Sequence, residues 1–232
     1  MSMFNACSSQ LKQPIFGRSW YQIKSYDTLY SIAWHYGLDV KDLARWNKIN
    51  PPYTIKPGQR ILLYEAPQQA AQSGVIQNDA GTNRKVIPIT VSTKKPDKVK
   101  LPEVLFEQWP TAGKVSQYFS SKTIDRKGID IKGNINQPVY AVASGKVVYS
   151  GNGLADYGNL IIIKHTETFL SAYAHNNNRL VAEGAKVNRG AKIATMGRND
   201  IGETLLHFQI RRNGKPVNPL KYLPKSNKLL KQ

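Results

Sequence analysis

The second half of the chain takes its fold from a strand-forming stretch, Leu205-Leu206-His207-Phe208-Gln209-Ile210. Side chains of a β-strand alternate between its two faces, so residues 205 and 207 point the same way. A His-x-His strand could direct two imidazoles into one groove, one to bind a metal and the other to carry protons. Leu205 stands at the first of these positions and can do neither. The stretch therefore predicts a strand that presents one histidine, His207, on this face, without a second imidazole at residue 205.

Short strands separated by glycines surround this stretch, from Trp109 to about Leu223. The segments rich in β-branched and aromatic residues are 139–142, 145–149, 160–164 and 170–175. This spacing predicts an antiparallel all-β domain. Gly151-x-Gly153 leads into a strand rather than a helix, so we interpret it as a turn and not as a nucleotide site.

Residues 20–64 have the pattern of a small βααβ unit. Asp27 precedes the first helix and is its expected N-cap, since its carboxylate can accept from free backbone N–H groups. Gly37 is expected to end that helix and Asp39 to begin the second. A turn at Pro57-Gly58 then leads into the closing strand.

The remaining segments complete a two-domain chain. Residues 65–103 are rich in Gln, Ala, Ser, Asn, Pro and Lys, and cannot bury enough apolar surface to order themselves, so they predict a linker. Residues 1–19 form an N-terminal tail and residues 225–232 a basic C-terminal tail. The expected fold class is α+β, with a small βααβ module followed by a mainly antiparallel all-β domain at residues 104–224.

Net charge indicates the surroundings of the protein. The chain has 33 Lys and Arg against 15 Asp and Glu, a formal charge of +18 that is spread along its length. Such a spread favours polyanionic surroundings over one contact patch. Because no Lys/Arg run is interleaved with aromatics, we expect no nucleic-acid partner, and cell-wall polymers or anionic membranes are favoured. The chain has no apolar run of about 18 residues that could span a membrane.

Cys7 is the single cysteine, which excludes an intramolecular disulfide. The piece Ala6-Cys7-Ser8-Ser9 resembles the cleavage end of a bacterial lipobox, although Phe4 and Asn5 depart from the usual residues. No signal peptide precedes it in this sequence. If translation starts upstream, Cys7 would carry the lipid, and the alternative is a free thiol on a terminal tail.

The βααβ segment resembles a LysM module through two motifs, Tyr21-x-Ile23-x-x-x-Asp27-Thr28-Leu29-x-x-Ile32-Ala33 and Ile55-x-Pro57-Gly58-Gln59-x-Ile61. The resemblance implies binding to glycans that contain N-acetylglucosamine, such as peptidoglycan. It implies a groove at Tyr26, Asp27, Thr28, Ile49 and Asn50, with Tyr26 replacing a glycine that the family usually has.

Local structural roles compete with glycan binding at two of the LysM positions. Asp27 could act as a helix cap alone, and Asn47 could bond the backbone alone, because both residue types favour such contacts. His35 is expected on the surface of the first helix.

The β-rich domain resembles the zinc peptidases of the lysostaphin/LytM type. Zinc catalysis needs three protein ligands, an open position and a base. In the family, a His-x-x-x-Asp motif supplies two ligands, and here Arg126 and Asp130 occupy its ends. A His-x-His strand supplies a catalytic histidine and the third ligand, here Leu205 and His207. His175, after Ala-Tyr-Ala, matches a histidine that assists catalysis.

Arg126 puts a permanent cation where a neutral imidazole is required. Its repulsion of a divalent ion and its expected pairing with Asp130 both oppose zinc. We therefore expect no metal, no cofactor and no catalysis. His175 and His207 are expected to form hydrogen bonds within the core. The groove at Arg126, Asp130, His175, Leu205 and His207 is a vestigial site and the expected partner surface.

A LysM module, a linker and a degenerate LytM domain together resemble the family of NlpD-like murein hydrolase activators. The resemblance implies a protein of the cell-division machinery that binds peptidoglycan and relieves the autoinhibition of a periplasmic zinc N-acetylmuramoyl-L-alanine amidase. It also implies an outer-membrane lipoprotein that faces the periplasm.

Two alternatives to the activator remain. The first is a zinc endopeptidase that cuts peptidoglycan cross-links, which would need other ligands in place of residues 126 and 205. The second is a purely structural wall-binding protein. Arg126 and Leu205 separate the activator from the endopeptidase, and nothing in the sequence separates the activator from the structural protein.

Overall fold

A computed structural model describes residues 20–65, 106–123 and 126–226. Cys7, nearly all of the predicted linker and most of the predicted C-terminal tail lie outside these ranges. Within the described ranges, no helix has the length and apolar character needed to cross a membrane.

The N-terminal module has the predicted βααβ order. Its elements are β1 (Trp20–Gln22), α1 (Leu29–Tyr36), α2 (Val40–Trp46) and β2 (Arg60–Leu62). β1 and β2 pair antiparallel. The helices bury Leu29, Ile32 and Leu43 against Ile23 and Ile61, so that one small apolar core holds both strands and both helices together.

The N-cap of α1 is Thr28, so the prediction of Asp27 was wrong. The Thr28 hydroxyl accepts from the Ser31 backbone N–H at 3.0 Å, and the Ser31 hydroxyl accepts from the Thr28 N–H at 3.0 Å. These reciprocal bonds form a capping box. Asp27 lies one residue outside the helix and accepts from the Tyr21 hydroxyl and the Lys24 N–H, each at 2.8 Å.

Other turn residues act as the sequence predicts. Gly37 ends α1 in the left-handed conformation at φ 67°, and the Asp39 carboxylate caps α2. The Asn47 amide donates to the carbonyls of Leu43 and Leu62 at 2.8 Å and accepts from the Leu62 N–H at 2.6 Å. Asn47 thereby ties α2 to β2, which confirms its backbone-bonding role.

The second domain contains, within the described residues, one ten-stranded sheet whose pairings are all antiparallel. Its strands are β3 (Lys114–Gln117), β4 (Ile129–Lys132), β5 (Pro138–Tyr140), β6 (Gly145–Gly151), β7 (Asn159–Lys164), β8 (Phe169–Arg179), β9 (Lys186–Val187), β10 (Lys192–Arg198), β11 (Thr204–Arg212) and β12 (Lys215–Val217). The order is β3-β4-β11-β10-β8-β7-β6-β9, with β5 on β10 and β12 on β11. β11 also pairs with β8, which places it at the centre of the sheet.

The sheet is apolar on both faces across β6, β7 and β8. One face supplies Val147, Ile161, Ile163 and Tyr173 to the main core of the domain. The opposite face supplies Val148, Leu160, Ile162, Ala172 and Ala174, which pack with Trp34 of α1. A sheet covered on both faces needs near-continuous apolar strands, and residues 160–163 are such a run.

The LysM-like module docks on this second face. The guanidinium of Arg211 on β11 lies over the Trp34 ring, and the Thr28 hydroxyl donates to the Val148 carbonyl at 3.3 Å. Lys41 forms an ion pair with Glu167 at 3.1 Å at the edge of the contact. The contact therefore combines a buried apolar centre with polar bonds around it.

Candidate functional site

Two facing strands, β4 and β11, bring Asp130 and His207 together. The two residues are direct partners in the strand register, so their side chains start from opposed Cα atoms. His207 Nδ1 lies 2.5 Å from Asp130 Oδ1. Both side chains are largely buried, with exposed fractions of 12% for His207 and 16% for Asp130. The pair forms the polar centre of the site.

The other ring nitrogen of His207 is also engaged. The amide nitrogen of Gln209 lies 2.8 Å from His207 Nε2, and 3.4 Å from the Tyr157 hydroxyl. An N–H at Nδ1 facing the carboxylate leaves Nε2 as an acceptor for the amide. The hydrogen-bonding role predicted for His207 is therefore confirmed, and both of its nitrogens have partners.

His175 stands on β8, with its ring centroid 6.1 Å from that of His207. Its backbone is left-handed at φ 60°, an uncommon conformation for a residue with a side chain. Burial, followed by the neighbouring His207, lowers the pKa of His175. Within the described ranges its ring forms no hydrogen bond, so the predicted role in the core is not seen for this histidine.

Leu205 and Arg126 occupy the other two predicted positions. Leu205 shares the β11 face of His207, is 3% exposed and pairs with Lys132 in the register. Arg126 is exposed, and the described residues contain no ion pair between it and Asp130, so that predicted pairing was wrong. The Arg126 side chain is exposed outside the strand, whereas Asp130 Oδ1 is bonded to His207 inside the site.

The residues at this site do not fit a zinc ion. A catalytic zinc centre takes three protein ligands around an open position. Asp130 and His207 are the two family-type donors, and they are bonded to each other, while Arg126 and Leu205 offer no lone pair for a metal. Among the described residues, no group of three or more His, Cys, Asp or Glu side chains is arranged to hold a metal ion.

The predicted glycan-binding residues differ in their surroundings. Tyr26 is 90% exposed at φ 68°, a left-handed conformation that explains why glycine is usual there. Asn50 is exposed and Ile49 is half-buried in the small core. Asp27 is bonded within its own turn, and the Thr28 hydroxyl faces the second domain through Val148.

Gln209 and Tyr157 belong to the site but were not predicted from the sequence. Gln209 follows His207 by two residues on one strand, so the same alternation that singled out residues 205 and 207 places Gln209 on their face. Tyr157 ends a short 3-10 helix, and its ring lies 6.1 Å from that of His207. No local pattern indicates Tyr157.

Two protein families account for the described domains. Residues 125–219 match the model of peptidase family M23, and residues 21–63 match that of the LysM domain. The chain is therefore a LysM protein with an M23-type domain, and the predicted fold class is confirmed.

Three curated relatives are similar to the chain over most of their length. The chain is 44% identical to the uncharacterized lipoprotein YgeR of Escherichia coli K12, over 90% of this chain and 82% of that protein. It is 39% identical to the murein hydrolase activator NlpD of Salmonella dublin, over 90% and 69% of the two chains. It is 42% identical to a lipoprotein NlpD/LppB homolog of Pseudomonas aeruginosa, over 88% and 77%. The chain belongs to the NlpD family of murein hydrolase activators and lipoproteins.

Proposed function

We propose that this protein binds peptidoglycan and activates a periplasmic zinc N-acetylmuramoyl-L-alanine amidase while cutting nothing itself. The observation that carries the proposal is the state of His207, whose nitrogens are bonded to Asp130 and Gln209. Arg126 and Leu205 add no ligand and no catalytic base. Relatives that carry the name of murein hydrolase activator support the same role.

The surface that receives the amidase is the groove at Arg126, Asp130, His175, Leu205 and His207. Strands β4, β8 and β11 hold four of these residues, and Arg126 lies just before β4. Grooves of this kind can accept extended segments of other proteins. The exposed guanidinium of Arg126 favours a segment that carries carboxylates. The protein need only bind the open amidase better than the closed one, and a nearly complete shift takes about 5.5 kcal/mol of differential binding.

Residues 20–64 hold the activator on the wall. The LysM match supports glycan binding, and the loops with Tyr26, Asp27, Thr28, Ile49 and Asn50 are the proposed contacts. Several relatives are named lipoproteins, which supports an envelope location with Cys7 as the lipid-bearing residue at the outer membrane. The proposed domain boundaries place an N-terminal tail at 1–19, a linker at 65–103, the degenerate LytM domain at 104–224 and a basic tail at 225–232.

Dye-labelled sacculi test the activator role. The full chain is expected to release no dye alone, and to increase release when a purified periplasmic zinc amidase is present. Arg126→Glu is expected to lower the stimulation by about tenfold, the equivalent of about 1.4 kcal/mol. Arg212→Glu is the matched control, since it reverses an exposed arginine at the opposite end of β11 from Leu205.

Three outcomes would replace the proposal. Dye release by the full chain alone, stopped by a chelator, would identify a zinc endopeptidase. Retained sedimentation with sacculi, without stimulation of any periplasmic amidase, would identify a structural wall protein. Equal loss of stimulation in Arg126→Glu and Arg212→Glu would show that net charge, and not the groove, is responsible.

A further inference from the structure

A crevice lies between the LysM module and the M23 domain. Its LysM wall is β1 with the outer side of α1, and its M23 wall is the loop that begins at Gly153 and continues into the 3-10 helix of Ala155–Tyr157. Leu154 in that loop is 9% exposed and belongs to the same apolar cluster as Trp34. The two walls are therefore fixed to each other by packing, and the crevice is a preformed feature of the docked arrangement.

The size of the crevice suits a ligand. Its volume is about 770 Å³, within the range of about 300–1,000 Å³ that small-molecule sites occupy. The side chains that bear on the argument are Tyr21, Lys24, Asp27, His35, Tyr36 and Asp156. They combine aromatic rings with polar and charged groups, as in sites that fix the orientation of a partly apolar ligand.

Aromatic rings form the amphipathic part of the lining. The rings of Tyr21 and Tyr36 meet edge to face at 5.7 Å, and the Tyr21 hydroxyl donates to Asp27 at 2.8 Å. Burial, reinforced by that hydrogen bond, raises the pKa of Tyr21, so the hydroxyl stays protonated. The hydrogen bond to Asp27 holds the ring in place. A tyrosine ring offers an apolar face and a polar tip, which match the C–H face and hydroxyl edge of a sugar.

The charge of the lining selects against an anionic ligand. Lys24 is opposed by Asp27 and Asp156, in a chain whose formal charge is +18. An acidic peptide or an anionic polymer would gain more from the rest of the surface than from this crevice. An uncharged ligand with hydroxyl and amide groups loses nothing there and can use both the carboxylates and the ammonium as partners.

We infer that the crevice is a second glycan site, which takes an uncharged chain of N-acetylated sugars and is completed by the M23 domain. Asp27 borders both sites, but the crevice otherwise uses β1 and the M23 residues Ala155 and Asp156 rather than the LysM loop that carries Asn50. The inference rests on the proposed wall binding and adds that docking of the LysM module against the M23 domain creates this additional site.

Calorimetric titration of the full chain with the N-acetylglucosamine tetramer tests the crevice. Ala155→Trp fills it from the M23 side, and Asp156→Arg changes its charge, and both residues are exposed, so folding should survive. Two binding events are expected in the wild-type chain, and each variant is expected to weaken the event at the crevice by about tenfold while the event at the LysM loops remains. Glu183→Arg is the matched control, because it makes the same charge change at an exposed M23 residue outside the crevice lining. Unchanged thermal unfolding midpoints would establish that the variants are folded.

The results separate this inference from the proposed function. Unchanged affinity and stoichiometry of the tetramer in Ala155→Trp and Asp156→Arg would overturn the crevice site, and amidase stimulation on sacculi would then still report on the activator role. An equal loss in Glu183→Arg would assign the effect to charge and overturn it too. Displacement of the tetramer by a polyglutamate peptide would make an acidic segment the occupant, which contradicts the inference. Normal tetramer binding with no amidase stimulation would support the crevice site and contradict the proposed activator function.

Discussion

Arg211 and Trp34 cover each other completely across the two domains. The guanidinium carbon lies 3.6 Å from the centroid of the indole ring, and Nη1 donates to the Trp34 carbonyl at 2.6 Å. The exposed fractions are 1% for Arg211 and 2% for Trp34. Burial lowers the pKa of Arg211 to about 10, and Nε has no hydrogen-bond partner among the described residues. A charge buried in this way is stabilised by the ring above it, so the docked LysM module contributes to the stability of the M23 domain.

Loss of the indole should therefore be severe. We expect Trp34→Ala to lower the free energy of unfolding by about 3–5 kcal/mol, because it opens a cavity and removes the ring that covers a buried charge. Arg211→Met keeps the volume and removes the charge, so it should cost less than about 1.5 kcal/mol. Urea unfolding of the full chain measures both changes. A cost below about 1 kcal/mol for Trp34→Ala would show that the docking contributes little to stability.

Gly214 allows a separate test of docking at the backbone level. Its φ is 70°, and a Cβ there would come within 2.5 Å of the Leu38 carbonyl oxygen in the LysM module. Gly214→Ala should therefore push the module away, and a protease should cut between the domains faster. Gly202→Ala is the matched control, since its φ is 82° but nothing lies within 4 Å of its Cβ. Equal proteolysis of the two variants would mean that backbone strain alone is responsible.

Local patterns predicted the elements better than their contacts. Apolar spacing and turn residues indicated the βααβ order, and Gly37 and Asp39 act as predicted because helix ends use local bonds. The prediction of Asp27 as the N-cap of α1 failed because Thr28, the next residue, is also a capping residue type. The choice between them depends on the Tyr21 hydroxyl, which holds the Asp27 carboxylate outside the helix.

The features that could not be predicted from the sequence depend on contacts between residues far apart in the chain. Strand alternation placed Leu205 and His207 on one face, but the partner of Asp130 depends on the register between β4 and β11. In the sequence nothing distinguishes Arg211 from the other basic residues, and its burial under the LysM module appears only in the structure. The continuous apolar run at residues 160–163 was the one local sign that the sheet is covered on both faces.

The burial of His165 predicts that the folded protein loses stability in mild acid. Its Nδ1 lies 2.9 Å from the Ser144 carbonyl and its Nε2 lies 2.7 Å from the Ser171 hydroxyl. Burial lowers the pKa of His165 to about 4, below the ordinary value of 6.5. Between these values the unfolded chain binds the extra proton, so stability is full above about pH 6.5 and falls toward pH 4. The expected loss is about 1–3 kcal/mol, reduced by the partial exposure of the residue.

Urea unfolding at several pH values checks this dependence. His165→Gln keeps a polar side chain but cannot titrate, so the slope between pH 6.5 and pH 4 should become smaller. Part of the slope should remain, since burial also lowers the pKa of His175. His35→Gln removes an exposed histidine of α1 and serves as the control. An unchanged slope in His165→Gln would assign the acid sensitivity to other groups.

Restoring one ligand should restore zinc binding. The wild-type chain is expected to bind no stoichiometric zinc, because Asp130 and His207 are two donors where three are needed. Arg126→His adds the third ligand and removes the cation. Leu205→His adds a histidine at the position that is catalytic, and does not bind metal, in the lysostaphin/LytM peptidases that this domain resembles. Elemental analysis should therefore find zinc in the first variant and none in the second. Zinc in the wild-type chain, or in both single variants alike, would contradict this assignment.

Gln209 should limit the affinity that Arg126→His regains. Its amide occupies His207 Nε2 at 2.8 Å, and this contact holds the ring as a hydrogen-bond acceptor rather than as a ligand. Adding Gln209→Ala to Arg126→His should strengthen zinc binding by about 10–100-fold, the range over which groups behind a ligand tune a metal site. A chromophoric chelator in competition gives both affinities. Weaker binding in the double variant would mean that Gln209 positions His207 for a metal and does not block it, and the non-catalytic interpretation of the groove would lose its main support.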